Sequence, residues 1–362
     1  MGKTKKPARN GEIEFWRWIF CLIIFIYHIN LDRKGYAGLF NMGQIGVEFF
    51  YIVSGYFLAN KADREKDRDN THLGKESITY VIKKYLGIFP YHLFAFAGSL
   101  VIFLSVTNLT GTSLVTSIVH TLPQFFLVHM NGYLLGGRLV SVEWYISCLL
   151  IVTLFLYPLL RRFYDRFVFV ACPLIALVTG GIMVKSGPLL GATEWMTFTT
   201  RGVYRALFEM CLGILAYEIS KYLKEKDFSL IKRVILALIS LGGYGFAVFC
   251  ATSKMPEDTR YIVVLVLMVS VAITMSGKNL YGVIFNNGFF RYFGKLSLPF
   301  YLNTNIVRYI CVKLGVIDMS YKSCIIISVG INIVISALLI FLVDIWKKHK
   351  KNKSQIKAQS LA

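Results

Sequence analysis

Residues 12–31, EIEFWRWIFCLIIFIYHINL, are long and apolar enough to cross a bilayer as one helix, yet they hold Glu14, Arg17 and His28. Ionisable groups inside such a run are costly in lipid and call for a partner, an interface or a cavity. Arg17 and His28 are eleven residues apart, about three turns and roughly 16 Å of rise. That spacing returns both side chains to one face, and Glu14, one turn before Arg17, lies within pairing reach. Two readings follow. Arg17 is a topology anchor and His28 an interfacial histidine, or the three form a polar stripe on a cavity in which His28 accepts a proton.

Further runs of spanning length lie at 44–60, 80–106, 139–160, 167–185, 203–220, 234–252, 261–276, 289–312 and 323–346. The chain is 56% hydrophobic, above the roughly 45–50% of soluble domains. The expected fold is therefore all-α and polytopic, with about ten transmembrane helices. The formal net charge of +20 is concentrated in the short segments between runs, a pattern of membrane topology and not of nucleic-acid binding. With the N-terminus inside, Lys and Arg favour the inner segments about fourfold, which puts both termini in the cytoplasm. Residues 1–11 then form a basic N-terminus, 12–346 the membrane domain, and 347–362 a basic tail against anionic lipid. The first run is too long for a signal peptide and lacks a small-residue cleavage site, so it reads as a retained helix.

Residues 107–137 are too polar for a lipid-exposed span. They read as a re-entrant or interfacial segment near 113–130, with His120 and His129 at its boundary. The seven cysteines fall within apolar runs at no metal-ligand or redox spacing, and read as packing residues.

Other polar residues recur inside the runs. Glu48 shares a face with Ile52 and Gly55 and reaches either interfacial water or a partner. Gly46 and Gly55 suit close helix contact. Glu143 lies deep enough to require a partner, either Arg138 or a histidine from another helix. Lys83 and Lys84 mark the inner face, or meet a phosphate-bearing donor. His92, just after Pro90, reads as structural. Pro299 is expected to kink the late segment that holds Asn303, Asn305 and Arg308.

Several motifs occur in order: Arg17-x10-His28, Gly46-Val-Glu48 with Ser54-Gly55, Lys84 leading into Ile88-Phe-Pro90, and Ser141-Val-Glu143-Trp-Tyr145. Arg205-x-x-Phe-Glu209-x-x-x-Gly213 and Phe293-Gly294-Lys-Leu-Ser297 before Phe300-Tyr301-Leu302 follow. Together they resemble membrane-bound acyltransferase family 3, the bacterial integral-membrane O-acyltransferases, over about residues 12–345. The resemblance implies a ten-helix core that moves an acyl group, usually acetyl, from cytoplasmic acyl-CoA to a hydroxyl of an envelope glycan, lipid-linked sugar or small molecule. It implies His28 as the catalytic histidine, Arg17 as its motif partner and Glu48 as the acidic position of the second helix. The chain departs from the family where Lys84-Tyr-Leu-Gly87 stands for Arg-x-x-Arg, where Arg138 replaces a Trp, and where Asn305 stands for a late His after Tyr-Leu. The C-terminal esterase-like domain of some members is not expected here.

The residues suit that chemistry. Transfer from a thioester needs a deprotonated hydroxyl and a stabilised oxyanion. His28 has the near-neutral reference pKa of a base, Glu48 or Glu143 is expected to orient it, and Arg17, Lys83, Lys84, Ser54 and Tyr301 are the expected donor contacts. Acyl-CoA, most simply acetyl-CoA, is a substrate and no bound cofactor is expected. The expected surroundings are a bacterial cytoplasmic membrane, and a homo-oligomer is compatible with the sequence. The rival readings are a transporter or flippase for a lipid-linked sugar and a non-catalytic membrane subunit.

Overall fold

The computed structural model describes residues 10–33, 38–131, 139–187, 191–252 and 256–359. The described residues form helices and no named strand; one isolated bridge joins Trp195 and Thr200. The helices are α1 (Gly11–Asp32), α2 (Gly46–Glu65), α3 (Leu73–Val106), α4 (Gly111–Val119), α5 (Trp144–Arg162), α6 (Cys172–Lys185), α7 (Arg201–Glu225), α8 (Leu230–Thr252), α9 (Glu257–Ser276), α10 (Gly288–Leu302), α11 (Thr304–Lys313) and α12 (Tyr321–Gln359). Each expected apolar run falls on helix. Six helical stretches, containing α3, α5, α6, α8, α9 and α12, are long and apolar enough to cross a membrane by length and composition.

α4, α10 and α11 are shorter than such a helix, and α1, α2 and α7 carry charged residues along their length. α1, α2 and α7 are enclosed by their neighbours, and this shelter lets them hold buried Glu12, Glu14, Glu48, Arg205 and Glu209. α3, α6, α8 and α12 leave much of their apolar surface uncovered, including Leu177, Ile231 and Ile326. Such a surface is matched to acyl chains.

The tightest crossing joins α2 and α7. A Cβ on Gly55 would stand 2.1 Å from the Met210 carbonyl oxygen, and one on Gly213 would stand 2.1 Å from that of Ile52. Ala59 and Ala62 on α2 and Ala206 and Ala216 on α7, all buried, continue the small-residue seam. Gly46 meets Phe20 and Ile24 of α1 in the same way. The close-contact role expected for Gly46 and Gly55 is what the structure has.

Between α3 and α5, α4 is peripheral with no buried residue, and its nine residues are too short to cross. The chain then turns inward, burying Gln124, Leu127, His129 and Met130. Arg138 lies outside the described residues. The late segment breaks one turn beyond the proline: Pro299 stays inside α10, which ends at Leu302, and Asn303 separates it from α11. Helices absorb the missing proline N–H here, and the turn comes where Asn303 N–H donates to the Pro299 carbonyl (2.9 Å) and its side-chain amide donates to Ser336 (3.2 Å).

Candidate active site

A cavity of about 260 Å³ lies between α1, α2, α3, α5 and α10. Arg17, Ser54, Lys84 and Tyr301 all line it, so the fold gathers four of the five expected donor contacts from four helices. The rest of the wall is mostly apolar, with Val53, Phe57, Ile88 and Leu149. Arg17 keeps one contact to Glu14 at 3.4 Å, the pairing expected from their spacing, while its Nε makes no hydrogen bond. The Tyr301 hydroxyl donates to the Val142 carbonyl at 2.6 Å, so the ring forms wall and the hydroxyl braces the backbone.

Lys84 also lines a larger groove of about 670 Å³ with Lys61, Arg68, His72, Lys75 and Lys83, so one ammonium borders both spaces. Gly87, where the family pattern has its second Arg, faces open space and adds no cation. Part of the groove's charge is already held. Glu65 takes Lys61 and Arg68 (2.8 Å), Tyr157 donates to Glu65 (2.9 Å) and to Glu76, and Arg161 pairs with Glu76 at 3.1 Å. Lys75, Lys83 and Lys84 have no acidic partner among the described residues. At the charged end of α2, beyond the apolar run, burial would raise the Glu65 carboxyl. Hydrogen bonds from Lys61 and Tyr157 and the charge of Arg68 outweigh it and hold the group below the usual glutamate range.

The expected partner of Glu143 is indeed a histidine from another helix, His92 of α3. Its Nδ1 lies 2.5 Å from Glu143 Oε1, and Nε2–H donates to the Phe125 carbonyl at 2.9 Å. The second Glu143 oxygen accepts from Gln124 (3.0 Å), which also donates to the Val140 carbonyl and accepts from Leu139 N–H. Both carboxylate oxygens are thus committed, His92 and Glu143 are fully buried, and the pair fixes the 139–145 segment that supplies Tyr145 to the cavity.

Glu48 is likewise sealed. Arg205 of α7 donates to it at 2.6 Å, stands 3.7 Å from Glu209, and lies 5.1 Å over the Trp144 ring. One guanidinium serves two carboxylates, all fully buried, and the second Glu48 oxygen has no hydrogen bond. Neither Glu48 nor Glu143 bonds His28, so the expectation that one of them orients the imidazole is not met: each carboxylate has a nearer cation or ring to satisfy. Sequence spacing could not place Arg205 beside Glu48, 157 positions away.

His28 sits near the other end of α1, one turn before Asp32, and its Nδ1 makes no hydrogen bond. Asp32 is clasped by Arg308 of α11 through two contacts, 2.8 and 2.5 Å. The cavity at Arg17 is not lined by His28. On the stripe between them Cys21 and Ile24 are buried, and Cys21 donates to the Ser297 carbonyl at 3.1 Å. The polar stripe that one reading placed on a single cavity is interrupted there, because α10 packs against α1 at that level.

A family model described as an acyltransferase domain matches residues 10–344. No curated protein and no solved structure matches the chain.

Proposed function

The chain belongs to this acyltransferase family and carries apolar helices fit for a membrane; from that premise we propose that it is an O-acyltransferase of a bacterial cytoplasmic membrane. Ten crossings place both termini inside. The donor is acyl-CoA, most simply acetyl-CoA, and the acceptor is a hydroxyl of an envelope glycan or lipid-linked sugar.

The observation that carries this reading is the meeting of the basic groove and the apolar cavity at Lys84. A donor with phosphates at one end and a thioester at the other matches that order. Lys75, Lys83 and Lys84 attract the phosphates. The uncharged arm runs between Val53, Phe57, Ile88 and Leu149, and Arg17 attracts the pantetheine, so that the thioester reaches onward along α1 toward His28. His28 takes the proton of the acceptor hydroxyl, whose oxygen attacks the thioester carbonyl. The C–S bond breaks, the ester forms, and the imidazolium returns the proton to the departing thiolate. Cys21 and Ile24 stand between the two groups, so their displacement is part of the cycle.

The test is acetate on surface glycan, and CoA release by the purified chain, for His28→Ala and Arg17→Ala at matched membrane abundance. Loss of a general base is expected to cost about 10²–10⁴-fold. Arg17→Ala is expected to raise the donor KM more than it lowers kcat. Undiminished transfer by the His28 variant removes that residue from the chemistry.

A further inference from the structure

At the end of α1 away from the basic groove, a separate cavity of about 310 Å³ opens beside α3 and α11, lined by Asp32, Ser99, Asn305 and Arg308 with the rings of Phe103 and Tyr309. Its charge is closed on itself. Asp32 and Arg308, with side chains 21% and 22% exposed, form a two-point pair, so neither an anion nor a cation meets an uncompensated charge. Its hydrogen-bonding capacity is not closed. Ser99 is 5% exposed and its buried Oγ has no partner. Asn305 donates to the Leu139 carbonyl and accepts from Ser141, leaving one N–H and one lone pair. Arg308 keeps unused N–H groups and Asp32 unused lone pairs.

Mixed donors and acceptors around a neutral pair are complementary to hydroxyls, each of which both donates and accepts. We propose that this cavity seats an uncharged polyhydroxyl ring, a neutral sugar, and excludes sugars bearing a carboxylate, phosphate or ammonium. Naming that sugar as the acceptor rests on the acyl-transfer reading, and follows from His28 lying one turn from Asp32; the binding itself does not rest on it.

The test uses the full chain in nanodiscs prepared without sugar-based detergent. Saturation-transfer NMR is run with methyl glucoside, glucuronate and glucosamine. Methyl glucoside is expected to bind at least about tenfold more tightly than either charged analogue. Ser99→Ala is expected to weaken it about fivefold, the worth of one hydrogen bond, with the acetyl-CoA KM unchanged. Asp32→Asn uncovers Arg308 and is expected to invert the preference toward glucuronate. Should that variant fail to fold, Ser99→Leu, which fills the cavity and spares the pair, must abolish methyl glucoside binding. Equal binding of the three sugars, or indifference to both Ser99 variants, overturns the proposal. Selective binding with no CoA release under any sugar upholds the cavity and removes the acyltransferase reading. Transfer that accepts charged and neutral sugars alike does the reverse. Glucosyl diacylglycerol in the disc that displaces methyl glucoside identifies a lipid-borne sugar, and absence of displacement a free one.

Discussion

Arg205 stands between Glu48 and Glu209, all three fully buried, so its removal strands two carboxylates. Arg205→Ala is expected to cost about 3–5 kcal/mol, read as a lower thermal midpoint and lower membrane abundance. Glu48→Gln, which keeps a hydrogen-bonding partner for the guanidinium, is expected to cost less. Arg205→Lys is expected to recover only part, because the flat contact with Trp144 is lost. At this scale the sequence was readable where partners are close along the chain. Glu14 and Arg17 pair at helical spacing, and the depth of Glu143 called for a partner, with a histidine as one of two candidates. It was unreadable where partners are far apart. Glu48 with Arg205, Asp32 with Arg308, and Glu12 with Thr274 and Asn279 are joined only by tertiary packing. Glu48, Arg205 and Arg308 stood out along the sequence without their mates, whereas Glu12, Asp32, Thr274 and Asn279 gave no signal of their own.

Helices were legible as apolar runs, since length and hydropathy dictate them locally, and the seam of α2 and α7 was half legible in Gly55. Its counterpart Gly213 appeared only as a motif position. Here the expected outcome is steep: Gly55→Ala or Gly213→Ala brings a Cβ to 2.1 Å from a carbonyl oxygen that must give way, and folded protein is expected to fall sharply. Gly87→Ala is the control. Nothing lies within 4 Å of its Cβ, and replacing a mid-helix glycine is expected to stabilise by about 0.5–1 kcal/mol. Melts of the three variants in the same nanodisc decide it. The break in the late segment was misplaced because proline chemistry is local, whereas the turn at Asn303 depends on Ser336 of α12.

For the whole molecule, the two ends differ in what they hold: a charged groove at one, a neutral polar cavity at the other. The groove end should register acid. Glu65 is held below its unfolded value, so its contribution is present above about pH 4.3 and is lost as pH falls through the folded value. Thermal midpoints are expected to be insensitive to this group between pH 8 and 5 and to drop below that. Glu65→Gln should lower the plateau and flatten the acid limb. The distribution of charge between an enclosed inner set and an apolar outer set was not legible from hydropathy, which read both sets as spanning runs because it cannot see which helices the fold shelters. That inner set also limits how the molecule can work. Where α2 and α7 grip, each presses a bare backbone against the other's carbonyl, so neither can slide or roll without both giving way. They form a fixed post, against which α1 is seated in turn by the close approach of Gly46 to Phe20 and Ile24.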